Sequence, residues 1–203
     1  TRQLYFKEMV IPASSMLGSA KDGFSTFLNT LSSGRISIGA LSVGTAIGAY
    51  EKALKYSTER KAFDRTISEF QSVSFKLSDM ATKIEASKLL VYNAAWLKDQ
   101  GLPINKEASM AKLFASEAAM EITSQAIQIH GGYGYVKDYE VERYFRDAKI
   151  LEIGEGTSEI QRIIIAREIL KGVKIFEVIL DKSLPSNIAF FEKNIYILYA
   201  RNP

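Results

Sequence analysis

The sequence has no cysteine and only one histidine among its 203 residues. The absence of cysteine excludes a disulfide framework, a thiolate metal site and a cysteine nucleophile. A single imidazole cannot build the multi-histidine sites that zinc and di-iron proteins use. Metal-dependent chemistry is therefore not expected, and the sequence predicts no metal ligands.

Neither sign of charge dominates the chain. Lysine and arginine number 26 against 23 acidic residues, giving a net charge of +3, and the charges alternate along the chain without a basic block. This pattern does not indicate a nucleic-acid partner. The longest apolar stretch, residues 36–50, contains serine, threonine and glycine and falls short of the ~20 residues of a membrane span. No secretory leader is expected either.

What the chain does contain is helical periodicity. The hydrophobic fraction is 47%, with only 4 prolines, which is typical of a packed globular protein. Apolar spacing predicts long helices over residues 23–60, 68–99 and 105–130, a short helix over 139–145, a connecting segment over 149–156 and a further helix over 158–170. Residues 4–12 predict a strand. The fold class is therefore predicted to be all-α, an up-and-down four-helix bundle with a short N-terminal strand.

Small residues recur inside two of these helices. Gly39, Gly44 and Gly48 interrupt the first helix, although a glycine within a helix costs about 1 kcal/mol relative to alanine. Alanines recur along one face of the third helix. We therefore expect another backbone to approach these helices closely.

Two segments have the residue types of a phosphate or cofactor site. Arg60, Phe63 and Gln71 place a cation, an aromatic ring and an amide near a helix junction, which could hold a phosphate and stack on a planar group. They are also compatible with a helix-end charge and a core phenylalanine. The glycines at 131 and 132 could let backbone amides meet an anion, or simply end a helix. His130 fits either an acid or base, or a residue bonded to backbone.

Glu155 has the most distinctive neighbours of any carboxylate in the chain. It lies between Gly154 and Gly156, just before a predicted helix in which Ser158 and Gln161 form a candidate capping box. Such freedom of the backbone suits a carboxylate that takes a carbon-bound proton. The alternative is an ordinary acidic residue preceding a helix cap.

In this order and at these intervals, the motifs resemble one family. They are Arg60-x-x-Phe63, Gln71, Gln128-x-x-Gly131-Gly132-x-Gly134-Tyr135, Arg146-Asp147, Glu155-Gly-Thr-Ser-x-Ile-Gln161-Arg162 and Ala166-Arg167. From about residue 8 to 172 the chain resembles the C-terminal half of an acyl-CoA dehydrogenase. The resemblance implies domains at 1–20 (remnant of a middle β-domain and linker) and 21–172 (helical bundle), followed by a tail of unknown role at 173–203.

The resemblance also implies roles for individual residues. Glu155 would take the α-proton of an acyl-CoA thioester while the β-carbon gives a hydride to FAD. FAD-contacting positions would be Arg60, Phe63, Gln71, Gln128, Ile129, His130, Gly131, Gly132, Thr157, Ser158 and Glu159, in part toward the flavin of a neighbouring subunit. Arg35 and Gly156 would line the acyl-CoA site. Implied partners are an acyl-CoA substrate, further copies in a dimer or tetramer, and an electron-transferring flavoprotein; the implied compartment is the cytoplasm in a bacterium or the mitochondrial matrix in a eukaryote.

Departures from the family pattern qualify these roles. Asp64 replaces the usual glycine, and Gly154 replaces a frequent tyrosine, which would widen the acyl pocket. Some branched-chain members carry their base at the position of Gly34, which here cannot serve. Because the domains that would precede this region are missing, we expect the isolated chain to bind FAD weakly and to be inactive. A non-catalytic helical oligomerisation module and an acyl-CoA oxidase are the alternative functions.

Overall fold

The protein is described by a computed structural model over residues 2–19 and 21–171. Its helices are α1 (Gly23–Glu59), α2 (Gln71–Asp99), α3 (Asn105–His130), α4 (Val141–Ile153) and α5 (Ser158–Leu170). Between α1 and α2, strands β1 (Lys61–Ala62) and β2 (Arg65–Thr66) form a small antiparallel hairpin in which Lys61 pairs with Thr66. Short 3-10 turns lie at 13–15, 67–69, 131–135 and 137–139. The all-α prediction is confirmed.

Helix α3 is the centre of the bundle and packs against each of the other four helices. Its inward face consists largely of alanine, and alanines 46, 49 and 53 of α1 are buried as well. Larger core side chains come from α2, where Leu77, Met80 and Ile84 are buried. Small residues on α1 and α3 let the helices approach closely, and the α2 side chains fill the remaining space.

The glycines of α1 differ in what surrounds them. A Cβ atom at Gly39 would lie 3.0 Å from Val91 Cγ2 and 3.6 Å from the backbone carbonyl of Ala111, so α3 backbone does approach there. At Gly48 the near neighbour is the Tyr144 ring, 2.8 Å from such an atom, and at Gly44 nothing lies within 4 Å. Close backbone approach is therefore confirmed at Gly39 and wrong at Gly44 and Gly48.

Two sequence-based boundaries need correction. The strand predicted at residues 4–12 is not formed, because no described segment pairs with it and its residues are all exposed; a strand without a partner leaves its hydrogen-bonding groups to water. The predicted connecting segment at 149–156 instead belongs to α4 as far as Ile153. Val141, Ala148 and Leu151 are buried at helical spacing and hold α4 against the bundle.

The predicted tail at 173–203 lies outside the described residues. Within 2–19 and 21–171, no helix is both long and apolar enough to cross a membrane. The same residues contain no cluster of three or more histidine, aspartate or glutamate side chains suited to a metal ion.

Candidate active site

Glu155 lies on a tight turn that connects α4 to α5. Both Glu155 (φ 55°) and Gly156 (φ 92°) have left-handed backbone conformations. This conformation is easy for glycine but costs a residue with a side chain roughly 1–2 kcal/mol. The turn is therefore strained at the residue whose carboxylate it presents.

The Glu155 carboxylate packs against α1 at Gly34. A Cβ atom placed on Gly34 would lie only 2.5 Å from Glu155 Oε2 and 2.9 Å from its Cδ. The carboxylate therefore occupies space that any side chain at position 34 would fill. Positions 34 and 155, which carry alternative bases in the resembled family, thus face the same space in this protein.

Arg35 provides a positive charge beside the carboxylate. Its side chain is buried, and its Nε has no hydrogen-bond partner among the described residues. Burial lowers the pKa of the Arg35 guanidinium, and the neighbouring Glu155 carboxylate acts in the opposite direction. The Glu155 carboxylate therefore favours the charged form of Arg35.

Two buried polar side chains donate hydrogen bonds to the backbone of this turn. Lys112 of α3 donates from Nζ to the backbone carbonyls of Glu152 and Gly156, at 2.9 Å each. Gln161 of α5 donates from Nε2 to the carbonyls of Glu155 (3.1 Å) and Gly156 (2.8 Å). Both side chains are completely buried. The backbone on either side of the Glu155 side chain is therefore fixed by hydrogen bonds.

Sequence reasoning missed Lys112 as a site residue and assigned Gln161 differently. Lys112 lies on the buried alanine-rich face of α3, between Ala108 and Ala115, where a long cationic side chain is out of place. That mismatch was the available signal. The predicted capping box of Ser158 and Gln161 is wrong, because Thr157 is the N-cap residue and accepts the Ile160 amide.

The three predicted cofactor residues at the start of α5 have different surroundings. Thr157 caps the helix, and the Ser158 hydroxyl is buried without a hydrogen-bond partner in the described chain. Glu159 is exposed, and hydrogen bonds from the Thr157 side chain and from its own amide lower the pKa of its carboxyl. Ser158 is therefore the unsatisfied polar group nearest to the turn in sequence.

A second candidate region lies at the other end of α1. An open groove of about 490 Å³ is lined by Tyr56, Arg60, Ile67, Ile129, His130, Gly131, Gly132, Tyr133 and Val136. Five of these are predicted cofactor residues, separated by up to 72 positions in the sequence, namely Arg60, Ile129, His130, Gly131 and Gly132. The structure thus brings together the two motifs at the ends of α1 and α3.

The groove offers open backbone and a cation. Gly131 has a φ of 60°, and a Cβ atom at Gly131 or Gly132 would meet nothing within 4 Å. The Arg60 guanidinium carbon lies 5.8 Å from the centre of the Tyr133 ring, and Arg60 has no ion pair within residues 2–19 and 21–171. An anionic group can therefore approach the Arg60 cation and the glycine backbone together.

His130 forms part of the groove wall as a neutral ring. It stacks on Tyr56 with 4.3 Å between ring centres, and its Nδ1 lies 2.8 Å from the Ala126 carbonyl oxygen. Because a carbonyl only accepts, Nδ1 carries the proton. Burial lowers the pKa of His130. The backbone-bonded alternative for His130 is therefore the one that the structure supports.

The remaining predicted cofactor residues do not line this groove. Phe63, at the tip of the hairpin, is 90% exposed and contacts the edge of Phe70. Gln71 begins α2, Gln128 lies in the last turn of α3, and both are exposed. Asp64 has a φ of 63°, a backbone conformation suited to the glycine that the resembled family carries there.

Comparison with known proteins places this chain in one family. The sequence model described as acyl-CoA dehydrogenase, C-terminal domain, matches residues 21–170. The chain is 54% identical over 171 residues to the probable acyl-CoA dehydrogenase YngJ of Bacillus subtilis, covering 84% of this chain and 45% of that protein. It is 47% identical, over the same shares, to the caffeyl-CoA reductase-Etf complex subunit CarC of Acetobacterium woodii.

A solved structure gives the same result. Butyryl-CoA dehydrogenase from Megasphaera elsdenii matches with a TM-score of 0.77 and 45% sequence identity, over 79% of this chain and 42% of that one. The chain thus spans less than half the length of the relatives it matches. Members of this family depend on FAD. With the family model covering nearly the whole bundle, the chain belongs to the acyl-CoA dehydrogenase family, of which it carries the C-terminal helical domain.

Proposed function

We propose that this chain is part of a flavoenzyme that removes two hydrogens from the α and β carbons of an acyl-CoA thioester. The observation that carries the proposal is the Glu155 carboxylate, held on a strained turn over the bare backbone of Gly34. A base must reach the carbon-bound proton without competing side chains, and Gly34 leaves that space clear.

In the proposed reaction, Glu155 takes the α-proton and becomes the neutral acid. Bound FAD would supply the acceptor for the hydride that leaves the β-carbon, so that the acyl group would gain a Cα–Cβ double bond. Arg35 balances the negative charge of the carboxylate before the proton is transferred. We propose that Gly156 and Arg35 line the acyl-CoA side of the turn. Thr157, Ser158 and Glu159 would then contact the flavin.

The groove at the other end of α1 has the chemistry of a dinucleotide site. Arg60 and the backbone of Gly131 and Gly132 would hold phosphate, and the aromatic wall suits a planar ring. We propose that Phe63, Gln71, Gln128 and Ile129 contribute to the same bound FAD. The fit rests on the open glycine backbone and on an arginine without an ion pair in the described chain.

The two regions are too far apart on one chain to surround a single flavin ring. From Gly34 to Arg60 the chain advances 26 residues along α1, which is about 39 Å at 1.5 Å per residue. We therefore propose a homo-oligomer, a dimer or tetramer, in which the groove of one copy serves the flavin beside Glu155 of another. This arrangement would make each copy contribute to two sites.

The relatives are more than twice as long as the matched region, so the chain alone does not supply a whole active site. We propose that the 203-residue chain binds FAD weakly and has no turnover without the preceding domains. The name of the CarC relative includes an Etf complex, which supports an electron-transferring flavoprotein as the electron acceptor. The same enzyme would work in the cytoplasm of a bacterium or in the mitochondrial matrix.

The test is Glu155→Gln in the complete gene product, assayed with short- and long-chain saturated acyl-CoA for bleaching of the flavin absorbance. Removal of a general base is expected to slow reduction by about 10²–10⁴-fold. Glu168→Gln is the matched control, because Glu168 lies on α5, the helix that follows the Glu155 turn, and its carboxylate pairs with Lys171. Full activity of Glu155→Gln would exclude Glu155 as the base.

A further inference from the structure

We propose that Lys112 is a positioning residue, whose ammonium group holds the Glu155 turn in the conformation that directs the carboxylate toward Gly34. The catalytic meaning of this role rests on the proposed function of Glu155. The conformational role does not, since it concerns only the hydrogen bonds between α3 and the turn.

The hydrogen bonds of Lys112 join two segments that would otherwise be independent. The Glu152 carbonyl is among the last four of α4, which have no partner inside their own helix. The Gly156 carbonyl lies beyond the turn. A cation at the end of α4 is also favoured by the helix dipole. One buried side chain on the central helix therefore fixes the distance between the end of α4 and the start of α5.

These bonds act where the backbone is strained. A non-glycine residue stays in the left-handed region only when several separate contacts hold its backbone there. Glu155 satisfies this condition, because its own carbonyl accepts from Gln161 and the next carbonyl accepts from both Gln161 and Lys112. Loss of Lys112 removes the link to α3 and leaves the turn tied only to α5.

Packing alone does not explain a lysine at this position. Lys112 is the largest completely buried side chain of the described residues. Burial lowers the pKa of its ammonium group, while the carboxylates of Glu152, Glu117 and Glu159 partly offset this effect. A methionine or leucine would fill the same space without the cost of burying a charge. The lysine is therefore explained by the carbonyls that it binds.

The first test measures amide hydrogen exchange in the 203-residue chain. Lys112→Met keeps the length of the side chain and removes the ammonium group. We expect exchange over residues 152–158 to become about tenfold faster or more, with the rest of the bundle little changed. Ile122→Ala is the matched control, since Ile122 is equally buried on α3 but does not contact the turn. The same exchange pattern in both variants would overturn the proposal.

Chemical rescue distinguishes the effect of the Lys112 ammonium charge from a general effect of the substitution on folding. Because the chain has no cysteine, Lys112→Cys can be alkylated at a single thiol in urea and then refolded. Bromoethylamine restores an ammonium group at nearly the length of lysine, whereas iodoacetamide adds a neutral amide. We expect only the aminoethyl form to recover slow exchange over 152–158. Equal recovery by both reagents would contradict a role for the ammonium group. Should Lys112→Met fail to fold, Gln161→Leu is a second variant, because it removes the hydrogen bonds that join the same turn to α5.

The catalytic consequence is measured in the complete gene product. A displaced base is expected to lower kcat of Lys112→Met by about 10–100-fold, with KM for acyl-CoA changed less than about threefold. An unchanged kcat would overturn the positioning role. Full activity of Glu155→Gln would refute the proposed function. It would not affect the exchange measurement, which tests only the conformation of the turn.

Discussion

The surfaces around Gly34, in the first half of α1, and around Arg60, at its C-terminal end, are of opposite kinds. At the Gly34 end, the Glu155 turn has its backbone carbonyls bonded by buried side chains and its carboxylate packed on bare helix. At the Arg60 end, the glycine backbone is open and the arginine has no ion pair within the described residues. The first end fixes a reacting group in place, and the second leaves its polar groups available.

This contrast matches the chemistry proposed for each end. A base must be held within a fraction of an ångström of its productive position, so its supports are internal to the chain. A cofactor brings its own polar groups, so its binding surface is expected to be incomplete until they arrive. The hydrogen-bonded Glu155 turn and the open groove thus differ in the way that the proposed base and the proposed cofactor site require.

The largest expected effect is the loss of turnover caused by a substitution at Gly34, which leaves the groove unchanged. Gly34→Ala places a methyl group 2.5 Å from the present position of Glu155 Oε2, so the carboxylate must move. Since the end of a glutamate side chain moves easily, stability should change little, whereas turnover should fall about 100-fold. Both are measured in the complete gene product, by thermal unfolding and by flavin reduction with acyl-CoA.

Gly44→Ala provides the control for this substitution. It lies on the same helix, and a Cβ atom there meets nothing within 4 Å. It should raise stability by about 0.5–1 kcal/mol through helix propensity and leave turnover unchanged. Equal turnover in the two alanine variants would show that the carboxylate does not need the space above Gly34.

The next effect is confined to the groove. Arg60→Gln removes the cation while keeping a polar side chain, and we expect FAD to bind about tenfold more weakly, as for the loss of one charge-assisted hydrogen bond. Equilibrium dialysis of FAD against the complete gene product measures this change. Arg65→Gln is the control, since Arg65 lies in the hairpin over the Phe70 ring and does not line the groove. Equal weakening by both variants would point to general charge instead of a site.

The sequence allowed most of the fold to be predicted. The helices α1, α2, α3 and α5 follow from apolar spacing and from glycine stops, within a few residues of their observed bounds. The extent of α4 was missed because the short helix was ended at residue 145 and residues 149–156 were assigned to a connecting segment, although Val141, Ala148 and Leu151 recur at helical spacing. The strand at 4–12 was wrong, because a local β-pattern cannot reveal whether a partner strand exists.

The candidate site was likewise predicted only in part. The motifs predicted Glu155 and five of the nine residues that line the groove, and the structure brings Arg60 beside the 129–132 segment. The lysine on the alanine-rich face of α3 was a signal that Lys112 has a buried partner, but the sequence could not show which one. Gln161 gave no such signal, because a side chain that binds backbone carbonyls of another segment leaves no motif at its own position. Their roles, like that of Glu155, stay predictions until the variants are measured.

The smallest expected effect is on the pH dependence of stability, and it comes from His130 in the groove wall. Burial holds the pKa of His130 below its ordinary 6.5, so the unfolded chain binds a proton that the folded groove wall does not. Stability from this group is present above pH 6.5 and is lost as the pH falls from there toward the lowered folded pKa. The loss grows with the difference between the unfolded and the folded pKa of His130.

His130→Phe tests this, because phenylalanine can keep the stacking on Tyr56 but cannot titrate. Without the Nδ1 hydrogen bond to Ala126 it should be less stable by about 1 kcal/mol at pH 7.5, and this difference should narrow as the pH falls. The wild-type chain should lose stability in urea between pH 7.5 and 5.5, and the variant should lose measurably less over the same interval. His130 is the only histidine of the chain, and the carboxyls with lowered pKa values titrate below this interval. Parallel pH profiles for the two proteins would therefore place the acid sensitivity outside the groove.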